Sequence, residues 1–248
     1  MPRRARLMLA GIPVHITHRG NNRQRCFYAE SDYAFYLFHL RRLLPHSQCW
    51  LHAYCLMSNH VHLLLTPQKL DSCARLMKRL AQLHTQYVNR TYQRSGTLWE
   101  GRFNSSLVQS EEYLLNCYRY VELNPVDARL CRHPTEYEWS SCRTNANGAP
   151  DPAITPHEED LRLGATGDRR RAAYRELLAV PLPPQTHEEI DRATNGNFAL
   201  GNETFTRAVS LALGRRAYPG VAGRPSQGVT AADDQDDLFQ GQQNVVCP

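Results

Sequence analysis

Ser58-Asn59-His60-Val61-His62-Leu63-Leu64-Leu65 decides how the rest of the chain is read. Thr66-Pro67 ends an apolar run carrying two imidazoles in alternation, the pattern of a short, mostly buried β-strand. Side chains on a strand alternate faces, so His60 and His62 project from one side and Val61 and Leu63 from the other. Two residues along a strand rise roughly 6.6–6.8 Å, close enough for two rings to lean onto one divalent ion. Two ligands leave most of a coordination shell open, as a catalytic metal requires. An ordinary strand with partly exposed histidines would look the same, so the neighbouring segments must decide.

Upstream, Cys49 to Met57 reads as a strand joined to the histidine strand by the Ser58-Asn59 turn. Ile12 to Gly20 alternates apolar and polar residues as a first strand, and Asn21-Asn22-Arg23-Gln24-Arg25 forms a basic loop after it. Ser31-Asp32 offers an N-cap, and Tyr33 to Leu44 has helical periodicity that Pro45 is expected to end. Downstream, Asp71 or Ser72 caps an amphipathic helix to about Tyr92, with Leu76, Leu80, Leu83 and Tyr87 on one face. Its other face carries Arg75, Lys78, Arg79 and Arg90. Leu98 to Val108 reads as a fourth strand, and Glu111-Glu112 open a further helix toward Asn124-Pro125. The order β-α-β-β-α-β predicts an α+β, ferredoxin-like fold, a four- to five-stranded antiparallel sheet with two helices on one face. The last helix can cover the other face, where His60 and His62 are able to point.

That last helix is rich in tyrosine. Asn116, Tyr120 and Asn124 recur every four residues and share one face. A phenol and two amides beside a histidine-held metal point to phosphoryl transfer, with the metal polarising a phosphate and Tyr120 Oη attacking in line. The amide oxygen of Asn124 is a candidate third metal ligand. Pro125 disfavours helical geometry at Asn124, which leaves that side chain's direction open. No residue in the sequence stands out as a base for the phenolic proton.

Composition fits a soluble globular protein: 248 residues, 42% hydrophobic and 21% charged. No apolar run is long enough to cross a bilayer, and the basic start up to Ala10 is too short for a signal sequence, which points to a cytoplasmic protein without membrane contact. Eight cysteines show no Cys-x-x-Cys pair and read as reduced core residues, so a zinc site is not expected. Residues 1–144 carry 19 Lys+Arg against 10 Asp+Glu, a net +9, while the remainder carries −4. Only Lys69 and Lys78 are lysines. Arginine forks onto phosphate and stacks on bases, so a basic first half suggests a nucleic-acid partner and a place near the nucleoid.

Four motifs together resemble a known family. They are His18-Arg19-Gly20-Asn21-Asn22-Arg23, Asn59-His60-Val61-His62, Leu98-Trp99-Glu100-Gly101-Arg102-Phe103, and Arg119-Tyr120-Val121-Glu122-Leu123-Asn124-Pro125-Val126. In this order they resemble the REP-associated tyrosine transposases of the HUH single-strand, IS200-like superfamily, over about residues 1–144. The resemblance implies that His60, His62 and Asn124 hold Mg²⁺ or Mn²⁺. It implies that Tyr120 forms a 5′-phosphotyrosine link to single-stranded hairpin DNA and releases a 3′-OH. Arg19, Asn21, Asn22, Arg23 and Arg102 are then candidate DNA contacts. The expected function is a metal-dependent single-strand endonuclease and strand transferase acting on REP-type palindromes, as monomer or homodimer. A catalytically silent hairpin-binding or regulatory protein on the same fold is the alternative. An RNA-binding role on this topology lacks the aromatic-rich strand it would need.

After residue 144 the composition changes. Asn145 to Pro152 reads as a linker, 145–219 as a mostly helical extension, and 220–248 as a disordered tail. The tail contains Gly223-Arg224-Pro225, a weak minor-groove motif, and the solvating run Asp233-Asp234-Gln235-Asp236-Asp237.

Overall fold

A computed structural model describes residues 5–220. Strand β1 (Val14–Arg19) is followed by helix α1 (Glu30–Ser47), hairpin strands β2 (Cys49–Met57) and β3 (His60–Pro67), α2 (Ser72–Thr91), β4 (Asn104–Val108) and α3 (Glu112–Asp127). This is the expected β-α-β-β-α-β order. The later chain adds α4 (Cys142–Asn147), α5 (Glu158–Arg162), α6 (Gly167–Ala179), α7 (Pro184–Gly196), β5 (Ala199–Leu200) and α8 (Glu203–Leu213). The sheet order is β2-β3-β1-β4-β5. The first four strands pair antiparallel, but β5 lies parallel to β4, unlike the all-antiparallel expectation. A parallel neighbour needs a long crossover, and here the whole α3–α7 segment provides it.

Alternation in β3 sorts the two faces. Val61, Leu63 and Leu65 are fully buried in one core with Leu40 of α1 and Leu76 and Leu80 of α2. Each such side chain is worth roughly 1.5–3 kcal/mol of burial. Leu64 faces the opposite core, with Ala53, Cys55 and Met57 of β2 and Leu114, Cys117 and Val121 of α3. Register places Thr17 and Cys55 opposite His62, and Arg19 and Met57 opposite His60, so all of these share the α3 face. The seven described cysteines are free.

Three element limits differ from the sequence reading. Asp32 caps α1 from its third position, accepting from the backbone amides of Tyr28 (2.7 Å) and Ala29 (3.1 Å), so the helix starts earlier than Tyr33. Pro45 sits inside the last turn of α1, where its missing amide costs one bond and the helix still closes on the left-handed Gln48 (φ 54°). Gly101 at φ 70° breaks the expected fourth strand. Only Asn104–Val108 stays in the sheet, and Trp99 makes a single bridge to Gly20.

The segment from Ser141 onward is tied to α3 and to β2 by polar contacts. Ser141 Oγ and Asn145 Nδ2 donate to one oxygen of buried Glu122 (2.5 and 2.7 Å), and Tyr174 Oη to the other (2.7 Å). The 145–152 stretch, expected as a linker, begins inside α4 and ends on Asp151, which accepts from Tyr54 Oη (2.8 Å) and pairs with Arg41. The 221–248 part of the expected tail, with Gly223-Arg224-Pro225 and Asp233–Asp237, lies outside the described residues. Among the described residues no helix is long and apolar enough to cross a membrane.

Candidate active site

Three loops converge at the end of β1 and β3. The backbone amide of Gly20 donates to Asn59 O (2.8 Å), and those of Cys26 and Phe27 donate to Ser58 O. Asn21 N donates to Leu98 O and Glu100 N to Arg19 O. Thus the segments around Arg19–Arg23, Ser58–His60 and Leu98–Arg102, singled out separately in the sequence, form one rim. Asn22 (φ 51°) and Arg23 (φ 58°) both adopt left-handed backbone, and Asn59 Nδ2 holds the second by its carbonyl (3.2 Å). Arg19 and Asn21 are half-buried, while Asn22, Arg23 and Arg102 are exposed on the rim. Burial, and after it repulsion from the nearby Arg102 charge, lowers the Arg6 pKa. Gly20 is the pivot: a Cβ there would stand 2.2 Å from Gln24 O. Gly20→Ala is therefore expected to cost about 1–3 kcal/mol and lower the midpoint of a thermal melt, with Ala10→Gly as an exposed control.

Below the rim His60 and His62 sit edge to face, ring centroids 4.8 Å apart. His60 Nδ1 contacts Asn59 Oδ1 at 2.6 Å, and Asn124 Nδ2 donates to the Tyr120 backbone carbonyl (3.2 Å). His62 Nδ1 meets His15 Nε2 at 3.0 Å and Thr17 Oγ1 at 3.3 Å, whereas its buried Nε2 has no hydrogen-bond partner. Burial, reinforced by Arg19, lowers the His60 pKa to about 4 and pushes His62 well down. Both rings are therefore neutral at pH 7, the form that binds a metal.

Behind His62 runs a polar chain. His15 Nδ1 contacts Thr194 Oγ1 (2.9 Å), which contacts Ser106 Oγ (3.1 Å). If His62 Nδ1 carries the proton and donates to His15, Nε2 keeps its lone pair for a metal. His15 then donates onward to Thr194. An outer-shell partner that fixes a ligand's tautomer is a common feature of metal sites. Among the described residues no three His, Cys, Asp or Glu side chains converge as a metal cluster. A third protein donor would thus be the Asn124 amide, and the orphaned Nε2, neutral rings and nearby amide fit a divalent ion.

Tyr120 comes to the same place from α3. Its ring lies 5.6 Å from that of His62 and 5.5 Å from that of His15, edge-on to both. It is only 7% exposed, and its Oη donates to Asp191 Oδ1 at 2.7 Å. Burial and then the Asp191 charge hold the phenol above its usual range, while the nearby Asn124 side chain works the other way. Tyr118 points elsewhere, fully buried near Tyr174 and His52. Asn116, expected on the Tyr120 stripe, instead accepts from Arg119 (3.2 Å). The continued helix resolves the direction of Asn124: α3 runs through Pro125 to Asp127, so Asn124 stays one turn beyond Tyr120. Sequence reading missed His15, although it shares the His62 face at alternate spacing in β1. It also missed Asp191 and Thr194 in the extension, where a polar stripe on α7 was the available signal.

The family model described as "Transposase IS200 like" matches residues 9–124. No curated protein matches. Among solved structures, a REP-associated tyrosine transposase bound to a REP hairpin is similar at 15% identity with a TM-score of 0.52, covering 63% of this chain and 93% of that one. At that identity the likeness speaks for the fold. A putative transposase from Deinococcus radiodurans R1 is 21% identical with a TM-score of 0.34, covering 44% of this chain and 88% of that one. The stretch 9–124, which holds the first four strands of the sheet, is thus similar to the IS200-like transposase family.

Proposed function

We propose that the protein nicks and rejoins single-stranded DNA at hairpins of the REP type, with Tyr120 as nucleophile and a divalent ion, Mg²⁺ or Mn²⁺, held by His60, His62 and Asn124. The observation that supports this most is the convergence of Tyr120 with the histidine pair: residues 58 and more positions apart in sequence meet on one face of the sheet, ring to ring at 5.6 Å. The ion would supply Lewis-acid polarisation of the scissile phosphate. The chain's own residues do the rest. The phenol oxygen attacks phosphorus, the bond to the 3′ oxygen breaks, and the 5′ phosphate stays on Tyr120. The released 3′-OH reverses the step during joining. Arg19, Asn21, Asn22, Arg23 and Arg102 on the rim suit phosphate and base contacts beside the site. A hairpin substrate is suggested by the solved relative, which is described as bound to a REP hairpin.

A suicide-substrate assay tests this reading. Labelled single-stranded hairpins with Mn²⁺ are expected to give an adduct that survives denaturation in the wild type and Tyr118→Phe, and is absent in Tyr120→Phe. An adduct persisting in Tyr120→Phe would move the nucleophile elsewhere. Hairpin binding with no adduct under any condition would favour the silent binding protein.

A further inference from the structure

Helix α7 presents three polar side chains toward the site at helical spacing: His187, Asp191 and Thr194. The His187 ring lies 5.4 Å from that of Tyr120, Asp191 accepts the Tyr120 hydroxyl at 2.7 Å, and Thr194 contacts His15 at 2.9 Å. Positions i, i+4 and i+7 lie along one face of a helix, so this is a single surface aimed at the nucleophile and the histidines. The adjoining side of α7 anchors it, with buried Ile190 and Ala193 in the core shared with α3. Helix α7 belongs to the segment beyond the residues matched by the family model, 9–124.

We propose that Asp191 is the proton acceptor for Tyr120, so that the segment after residue 144 completes the active site. This rests on the function proposed above. The other candidates near the phenol are engaged. His15 has both ring nitrogens in contact with Thr194 and His62. His62 spends Nδ1 on His15, and its Nε2 is the nitrogen left for a metal. The His187 Nε2 lies beside Asp127 (3.8 Å). Asp191 alone among these is a carboxylate already accepting the hydroxyl proton's hydrogen bond, within the 2.6–3.2 Å range a general base needs.

In cleavage, the Oη–P bond forms as the bond from phosphorus to the 3′ oxygen breaks. The phenolic proton passes to the Asp191 carboxylate, and the departing oxygen leaves with its electron pair and takes a proton from water. In joining, a 3′-OH gives its proton to water as its oxygen attacks the phosphotyrosine phosphorus, and the protonated Asp191 returns its proton to the leaving phenol oxygen. Asp191 is exposed away from this contact, so the proton has a route to solvent.

The test uses the full chain, with Asp191→Asn, Asp191→Ala and Asp191→Glu beside the wild type. General-base removal is worth about 10²–10⁴-fold, so Asp191→Asn and Asp191→Ala are expected to slow adduct formation by that factor while hairpin affinity is unchanged. Asp191→Glu should recover most of the rate. Independently of activity, the ¹³Cζ resonance of Tyr120 in metal-free protein is expected to move upfield in Asp191→Asn, reporting loss of the carboxylate acceptor. If the wild type forms its adduct on Tyr120 and Asp191→Asn matches or exceeds its rate, Asp191 is a structural contact or a brake, and this inference fails alone. If the wild type forms no adduct on Tyr120, the function reading fails and takes this inference with it.

Discussion

His62→Ala is expected to remove Mn²⁺ binding and, with it, covalent adduct formation. His62 Nε2 is buried without a partner, and its ring is held by His15 through the opposite nitrogen. Because burial keeps both imidazoles neutral, a metal need not displace a proton to bind at pH 7. Removing one of two imidazoles should cost more than the roughly 10–100-fold typical of an outer-shell change. His15→Ala should fall within that smaller range, because it loosens His62 without deleting a donor. Calorimetric titration with Mn²⁺ on variants that keep their circular dichroism would read both effects. Wild-type affinity in His62→Ala would place the metal elsewhere.

The second large effect is on stability in acid. His15, His18, His52 and His84 are buried, and desolvation lowers their pKa values from 6.5 to about 3 for His15 and about 4 for the other three. Below pH 6.5 the unfolded chain binds protons that the folded chain refuses, so stability falls as pH drops toward those values. At pH 5 each such histidine costs about 2 kcal/mol relative to neutral pH, or about 8 together. Glu122 works in the opposite sense. Burial raises its carboxyl to about 7 against 4.5, and the protonated folded form returns about 2 kcal/mol by pH 5. These four histidines and Glu122 together lose about 6 kcal/mol, comparable to the whole stability of many domains, about 5–15 kcal/mol, and in the metal-free protein His60 and His62 add to the loss in the same sense. Cooperative unfolding of the metal-free protein is therefore expected near pH 5, followed by circular dichroism. A native signal and an unchanged urea midpoint from pH 7 to 4.5 would contradict it.

The sheet was legible because its signals are local. Alternation marked β1 and β3, the Ser58-Asn59 turn fixed the hairpin, and period-four spacing put Tyr120 and Asn124 on one face. What stayed hidden depends on contacts across long sequence distances. His15 looks like any strand residue until register sets Thr17 against His62 and leaves His15 one pair further along. Asp191 and Thr194 fall in a segment whose placement against β4 no local pattern reveals. Gly101 ended the fourth strand early because a left-handed backbone cannot continue a ladder, a fact the flanking apolar residues masked.

Arg119 lies between the two tyrosines most easily confused, so trypsin separates them. Residues 103–119 hold Tyr113 and Tyr118, whereas residues 120–129 hold Tyr120 as their sole tyrosine. Mass spectrometry of the trapped DNA–protein product should find the nucleotide remnant on the 120–129 peptide. A remnant on 103–119, or on no tyrosine at all, would mean that the phenol beside His62 is part of the packing and not the attacking group.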